Sequence, residues 1–206
     1  MILYVYIKSI HIVPLLNASY CVIKRSLLEL NAKINTTWNT QMELSLRLIK
    51  ICMLASIALF FTLVAFDNII DFNSNWLFVQ HVLSMDTTFH EPVLMQRAIT
   101  NPIIQRYAYY AIIAWEILTA LFCWIGCIAL FAKIKERNNH FNEAKKIAYI
   151  GLFFGFALYM LGFIIIGGEW FSMWQSSTWN GQGKAGLFIS LIMFVMIFLA
   201  SGDTEK

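Results

Sequence analysis

One acid, Glu116, sits inside a long apolar run, AYYAIIAWEILTALFCWIGCIALFA, residues 108–132. A carboxyl at that depth can hold a proton, bind a cation or pair with a neighbouring helix. Placing it there costs about 2.5–3.5 kcal/mol on the insertion scale. The Ile, Leu and Phe residues of the run return about 0.3–0.6 kcal/mol each, roughly 3–6 kcal/mol in all. The run therefore inserts despite the acid, and hydropathy does not say why the acid is there. Three readings stay open. Glu116 is a neutral, desolvated carboxyl bonded to another helix, or it pairs with Arg97 or Arg106 from a loop folding inward, or it serves a proton or cation pathway. No second ionisable residue lies deep in an apolar run, so no proton relay is visible.

Two polar, aromatic stretches carry the other candidate chemistry. The first, residues 67–107, holds His81, Asp86, His90 and Glu91. His81 and Asp86 are five residues apart and do not share a helix face well, and no HxxxH or ExxH spacing occurs, so a metal site is not expected. The expected role of Asp86 is to cap a short helix through Thr87 and Thr88. The second stretch, GGEWFSMWQSSTWNGQGK, residues 167–184, carries Trp170, Trp174 and Trp179, with Gln175, Asn180 and Gln182 between and after them. Tryptophan favours the membrane interface because its ring is apolar and its N–H needs a partner. The stretch reads either as an interfacial belt or as an aromatic wall for a lipid headgroup, a quinone or a partner subunit. No Ser-His-Asp order, Walker loop or zinc spacing appears, so no catalytic residue is assigned. His11, His81, His90 and His140 all lie outside the apolar runs, which gives a haem no axial pair. The cofactor stays unknown.

The elements that must position these residues follow from composition. Of 206 residues 59% are hydrophobic and 13% charged, against about 25% charged in soluble domains. The apolar residues fall in four blocks, residues 48–66, 108–132, 147–167 and 185–200. Each is near the ~20 residues that cross a ~30 Å hydrocarbon core, and each must be helical, because lipid offers the backbone no hydrogen-bond partner. The fold class is an all-α membrane protein, a four-helix transmembrane bundle with short interfacial helices in the first outer loop. That loop is long for a connector, with Val79–Met85 at helical spacing and Pro92 and Pro102 punctuating the rest. Trp76, Phe78 and Phe89 are expected at headgroup level.

Orientation follows from Lys and Arg in the flanks. Arg47, Lys50, Lys133, Lys135, Arg137, Lys145, Lys146 and Lys206 stand on one side, eight in all, against three on the other, Arg97, Arg106 and Lys184. The positive-inside rule puts both termini and the 133–146 loop in the cytoplasm, with Lys50 able to snorkel to the interface. Gly151, Gly155 and Gly162 share a face of the third span, where a GxxxG spacing permits close helix packing. Cys123 and Cys127 read as small packing residues. Residues 1–41 behave differently, as an extension with Lys8, His11 and Pro14 breaking its apolar part. They read as a misplaced start ahead of Met42 or as an interfacial segment, with residues 42–206 as the transmembrane domain. The net charge of +3 is too small, and the basic residues too dispersed, for nucleic acid.

The strings SNWLFVQHVLSMDTTF and MQRAI, then IIAWE, then GGEWFSMWQSSTWNGQ, resemble a bacterial family described only as predicted small integral membrane proteins of unknown function. The resemblance covers residues 42–200 or so. It implies a bacterial inner-membrane protein with four spans, and it singles out His81, Asp86, Arg97, Glu116, Glu169, Trp170, Trp174, Gln175, Trp179 and Asn180 as motif positions. The chain departs from the pattern in its N-terminal extension and at Gln96, where an aromatic residue is expected. The expected role is a binding or accessory protein, non-enzymatic, engaging a lipid, quinone or membrane-protein partner at its outer face. The alternatives are a small transporter using Glu116 and a membrane redox enzyme. No span contains proline or looks broken, which tells against a transporter.

Overall fold

The computed structural model describes residues 2–203, with side chains from residue 24 onward except Thr36. The described residues form helices and turns, without a strand. They divide into two compact units, residues 1–46 and 47–206. Helix α1 (Ile2–Ile70) contributes to both. In the first unit an exposed Arg25–Glu29 ion pair of 3.1 Å spans one turn, and Leu27, Leu28, Ile34 and Trp38 are exposed. The expectation of a misplaced start or interfacial segment over 1–41 falls largely on residues 1–23, whose side chains lie outside the described residues.

The second unit is a bundle whose remaining long helices are α4 (Pro102–Ala132), α5 (Asn138–Ala157) with a π-helical continuation Leu158–Trp170, and α6 (Gln182–Ala200). Among the described residues four helices are long and apolar enough to cross a membrane, as the sequence predicts. They run past the apolar blocks. The first reaches Ile70 rather than 66, and α4 starts at Pro102 rather than 108. Pro102 suits a first helical position, where its missing N–H costs nothing, and the Asn101 side chain accepts the Ile103 N–H at 2.9 Å. Two short helices, α2 (Phe72–Ser84) and α3 (Pro92–Met95), occupy the long first connection. Helix α2 docks on α4 through Trp76, Val79, Tyr109 and Ile113. Trp76 is therefore buried against α4.

The core centres on Leu54, Ala58 and Phe61 of α1, Cys123 and Leu130 of α4, Ala148 and Leu152 of α5 and Ile192 of α6. Lipid tails are as apolar as these side chains, so close packing rather than solvent exclusion must hold them. Glycine sets the closest approach: a Cβ at Gly151 would lie 2.7 Å from the Cys123 backbone N, and one at Gly126 2.8 Å from the Ala148 Cα. The GxxxG of α5 thus packs inside the bundle. Cys52, Cys123 and Cys127 are free thiols. Polar bonds cross the bundle too. The Trp115 Nε1–H donates to the Phe154 carbonyl at 3.0 Å and the Trp124 Nε1–H to the Thr62 hydroxyl at 3.1 Å.

One end of the bundle is closed by charge. Asp203 is buried, and its Oδ2 accepts from Lys50 Nζ at 2.7 Å and Lys145 Nζ at 2.5 Å, with Arg47 Nε 3.7 Å from Oδ1. Arg47 also donates to the carbonyls of Ile134 and Glu136 at 2.8 and 2.7 Å and to the Asn138 side chain, and lies over the Phe141 ring. Burial pushes the Asp203 carboxyl up. The hydrogen bonds and charges of Lys145 and Lys50 outweigh that and hold it below the usual carboxylate range. Lys50, expected to snorkel outward, is instead 2% exposed and bonded inward to Asp203 and the Ser201 carbonyl. An acid near the end of the chain provided the stronger partner.

Candidate functional site

The opposite end carries both aromatic connections, and a left-handed turn builds its polar centre. Met85 ends α2 with φ of 54°. That turn folds the chain back so that Asp86 Oδ2 reaches His81 Nδ1 at 2.7 Å. Five residues of helix keep the two apart, and one reversed residue brings them together. Asp86 thus orients the imidazole rather than capping a helix. A carboxylate only accepts, so Nδ1 donates to it and Nε2 is left to bond a ligand. The ring lies flat on Trp179, centroids 4.5 Å apart and planes at 11°.

Ser176 places Trp179. Its buried hydroxyl oxygen accepts the Trp179 N–H at 2.9 Å and the Thr178 N–H at 3.3 Å, a local serine turn. The Thr87 hydroxyl donates to it at 2.8 Å, and the Phe89 N–H donates to Gln175 Oε1 at 2.9 Å. These bonds tie the two connections to one another. Positive φ at Met85, His90 and Ser172 concentrates backbone strain here. No hydroxyl or thiol hydrogen-bonds the His81 ring among the described residues.

Beneath this centre lies an apolar groove of about 280 Å³ between α2, α4 and the π-helical segment, lined by Phe78, Val82, Leu83, Ala108, Ala111, Ile112, Gly162, Phe163, Ile166 and Met173 among others. Its rim is the polar centre: Phe78 meets the edge of Trp179 at 6.3 Å and stacks on Phe163 at 6.0 Å. On another side Phe171 lines the groove, and its chain neighbour Trp170 lies under the Arg97 guanidinium at 4.9 Å. A second crevice of about 330 Å³, between α1 and α6 around Phe60 and Phe188, has Ser56 as its one polar lining residue.

Glu116 stands apart. It is 4% exposed, and Asn68 Nδ2 donates to its Oε2 at 2.8 Å. Asn68 Oδ1 in turn accepts from Asn75 Nδ2 at 2.6 Å and from the Tyr109 hydroxyl at 3.1 Å. The considered ion pairs do not form: Arg106 lies over Trp76 and Arg97 over Trp170.

Of the sequence-selected residues, the structure gathers His81, Asp86 and Trp179, with Gln175 bonded close by in the chain and Arg97 with Trp170 on the neighbouring rim. Trp174 is exposed and meets Phe89 edge-on. Asn180 accepts the Gln182 N–H at the start of α6. Glu169 is exposed, with no ion pair among the described residues. Asn68, Asn75, Tyr109 and Ser176 were not singled out by sequence reasoning. Asn68 had a legible signal, an amide two residues beyond an apolar block. Ser176 had none, because its role depends on a contact between two loops.

A family model described as predicted small integral membrane protein (DUF2165) matches residues 46–201. No curated protein and no solved structure matches the chain significantly.

Proposed function

Because this chain belongs to the family of predicted small integral membrane proteins, we propose that it is a binding protein of the bacterial inner membrane for a lipid-soluble amphiphile. The class includes lipids and quinones: one apolar chain and a head that makes hydrogen bonds. The chain lies in the groove walled by Phe78, Ala111, Gly162 and Phe163. The head meets His81 Nε2 and the Trp179 face, with Arg97 on the adjacent rim. The supporting observation is the continuity of the two environments, since Phe78 is at once a groove wall and the neighbour of Trp179, on which His81 stacks. An apolar cavity with a few convergent polar groups is the usual form of a small-ligand site.

Both termini lie in the cytoplasm on this reading, and the site opens on the outer side. Three of the eight basic residues behind the orientation, Arg47, Lys50 and Lys145, are engaged by Asp203. Lys133, Lys135, Arg137, Lys146 and Lys206 still outnumber the three on the other side. Reporter fusions at 133–146 and after residue 203 test this, and a periplasmic signal from 133–146 would reverse it.

Native mass spectrometry of the full chain, released from membranes in mild detergent, tests the ligand. A retained amphiphile is expected, and Gly162→Phe and Ala111→Phe, which fill the groove, should lose it. Retention unchanged in both variants, or capture of a protein partner with the groove empty of amphiphile, counts against the reading.

A further inference from the structure

The hydrogen-bonded line from Glu116 to Asn75 is not needed by the amphiphile site and runs from the interior to an exposed amide. Glu116 is buried on α4, and Asn68 is its one hydrogen-bond partner among the described residues. No Lys, Arg or His among the described residues ion-pairs with it. The titratable groups facing it are Tyr109 of its own helix and Tyr159 of the π-helical segment, with Asp71 beyond Tyr109. Asn68 of α1, which bonds it, and Asn75 of α2, which bonds Asn68, are neutral amides.

We propose that the Glu116 carboxyl is a proton-binding site that opens toward Asn68 and Asn75 at the loop-rich end of the bundle. The amides can bond the carboxyl in either of two states. Ionised, the carboxylate accepts from Asn68 Nδ2, and Asn68 Oδ1 accepts from Asn75 and Tyr109, as the structure has it. Protonated, the carboxyl O–H donates to Asn68 Oδ1 once that amide turns end for end. Asn68 Nδ2 then donates to the Tyr109 oxygen and to the Oδ1 of a likewise turned Asn75. Amide oxygen and nitrogen occupy near-equivalent positions, so the turn needs no repacking, and the Tyr109 hydrogen passes to the Asn68 main-chain carbonyl, 3.5 Å away. The direction of the chain therefore follows the proton, and it is displayed on α2, the helix that also carries the groove wall Phe78.

The site opens at one end. Beyond Glu116, α4 turns Ala120, Cys123, Cys127 and Leu130 into the core, and the Thr119 hydroxyl is committed to the Trp115 carbonyl at 2.8 Å. No polar line continues toward Asp203. This geometry binds a proton and does not conduct one.

Infrared difference spectroscopy of the full chain in liposomes, stepped in pH, tests the proposal. A carboxylic-acid C=O band is expected on acidification, shifted by isotope-labelled glutamate, abolished in Glu116→Gln and moved in frequency in Glu116→Asp. Side-chain amide bands should change at the same midpoint, and Asn68→Leu should remove that change. A spectrum without a Glu116-dependent band overturns the site, and amide bands indifferent to it overturn the chain. Glu116-dependent proton flux into dye-loaded liposomes overturns the single opening. None of these readouts depends on whether the groove is filled, so each stands apart from the binding reading.

Discussion

Replacing Asp203 by Asn keeps the shape of the side chain and removes the one negative charge among three buried cations. Lys145 loses its carboxylate and keeps the Phe141 ring at 5.6 Å, while Lys50 keeps the Ser201 carbonyl and Arg47 its two carbonyls. Removing one partner of a buried ion pair costs about 3–5 kcal/mol, mostly the stranded charge. For a chain of this size each kcal/mol moves the melting temperature about 2–4 °C, so a fall of roughly 6–20 °C is expected. The assay is thermal unfolding in detergent, followed by tryptophan fluorescence and by size-exclusion chromatography after heating. A second change, Lys145→Met, removes a stranded charge and should recover part of the loss.

The pH dependence has a definite sign. Asp203 is held below its ordinary value in the folded state, while the unfolded carboxyl titrates near the usual value of about 3.9. Its contribution is complete above that unfolded value and is lost as pH falls through the lower folded one. The gap between the native chain and Asp203→Asn should therefore be widest near neutral pH and narrow on acidification. A melting shift within about 2 °C at neutral pH, or a Lys145→Met double variant no better than Asp203→Asn alone, would refute the reasoning.

Glu116→Gln keeps an acceptor for Asn68 and should cost less than about 1 kcal/mol, whereas Glu116→Leu strands a buried amide and should cost about 1–3 kcal/mol; paired melting curves compare them. Gly151→Ala drives a methyl to 2.7 Å from the Cys123 backbone N, and overpacking of this kind costs about 1–3 kcal/mol, read in the same melts. Asp86→Asn weakens the orientation of His81 while leaving the groove intact. Losing about 1 kcal/mol of hydrogen bonding should weaken amphiphile retention roughly fivefold, measured by delipidation and rebinding, with His81→Ala at least as severe.

The sequence by itself determined that this chain spans a membrane four times in helices. Apolar blocks about one bilayer long admit no other backbone solution, and no partner is needed to read them. It also flagged Glu116 by cost alone, and the two connections by their aromatic and amide content. It could not tell that His81 and Asp86 meet, because helical spacing keeps them apart and only the left-handed turn at Met85 reverses the chain. It left Lys50 able to snorkel to the interface because hydropathy has no term for Asp203, 153 positions away along the chain. It left Glu116 with a bond to another helix, a pairing with Arg97 or Arg106, or a pathway role, and the packing of α1 on α4 supplies the first of these contacts through Asn68. Period and composition act locally and are written in order along the chain. Which polar group satisfies which is settled only when distant helices close on one another, and that decision belongs to the tertiary structure.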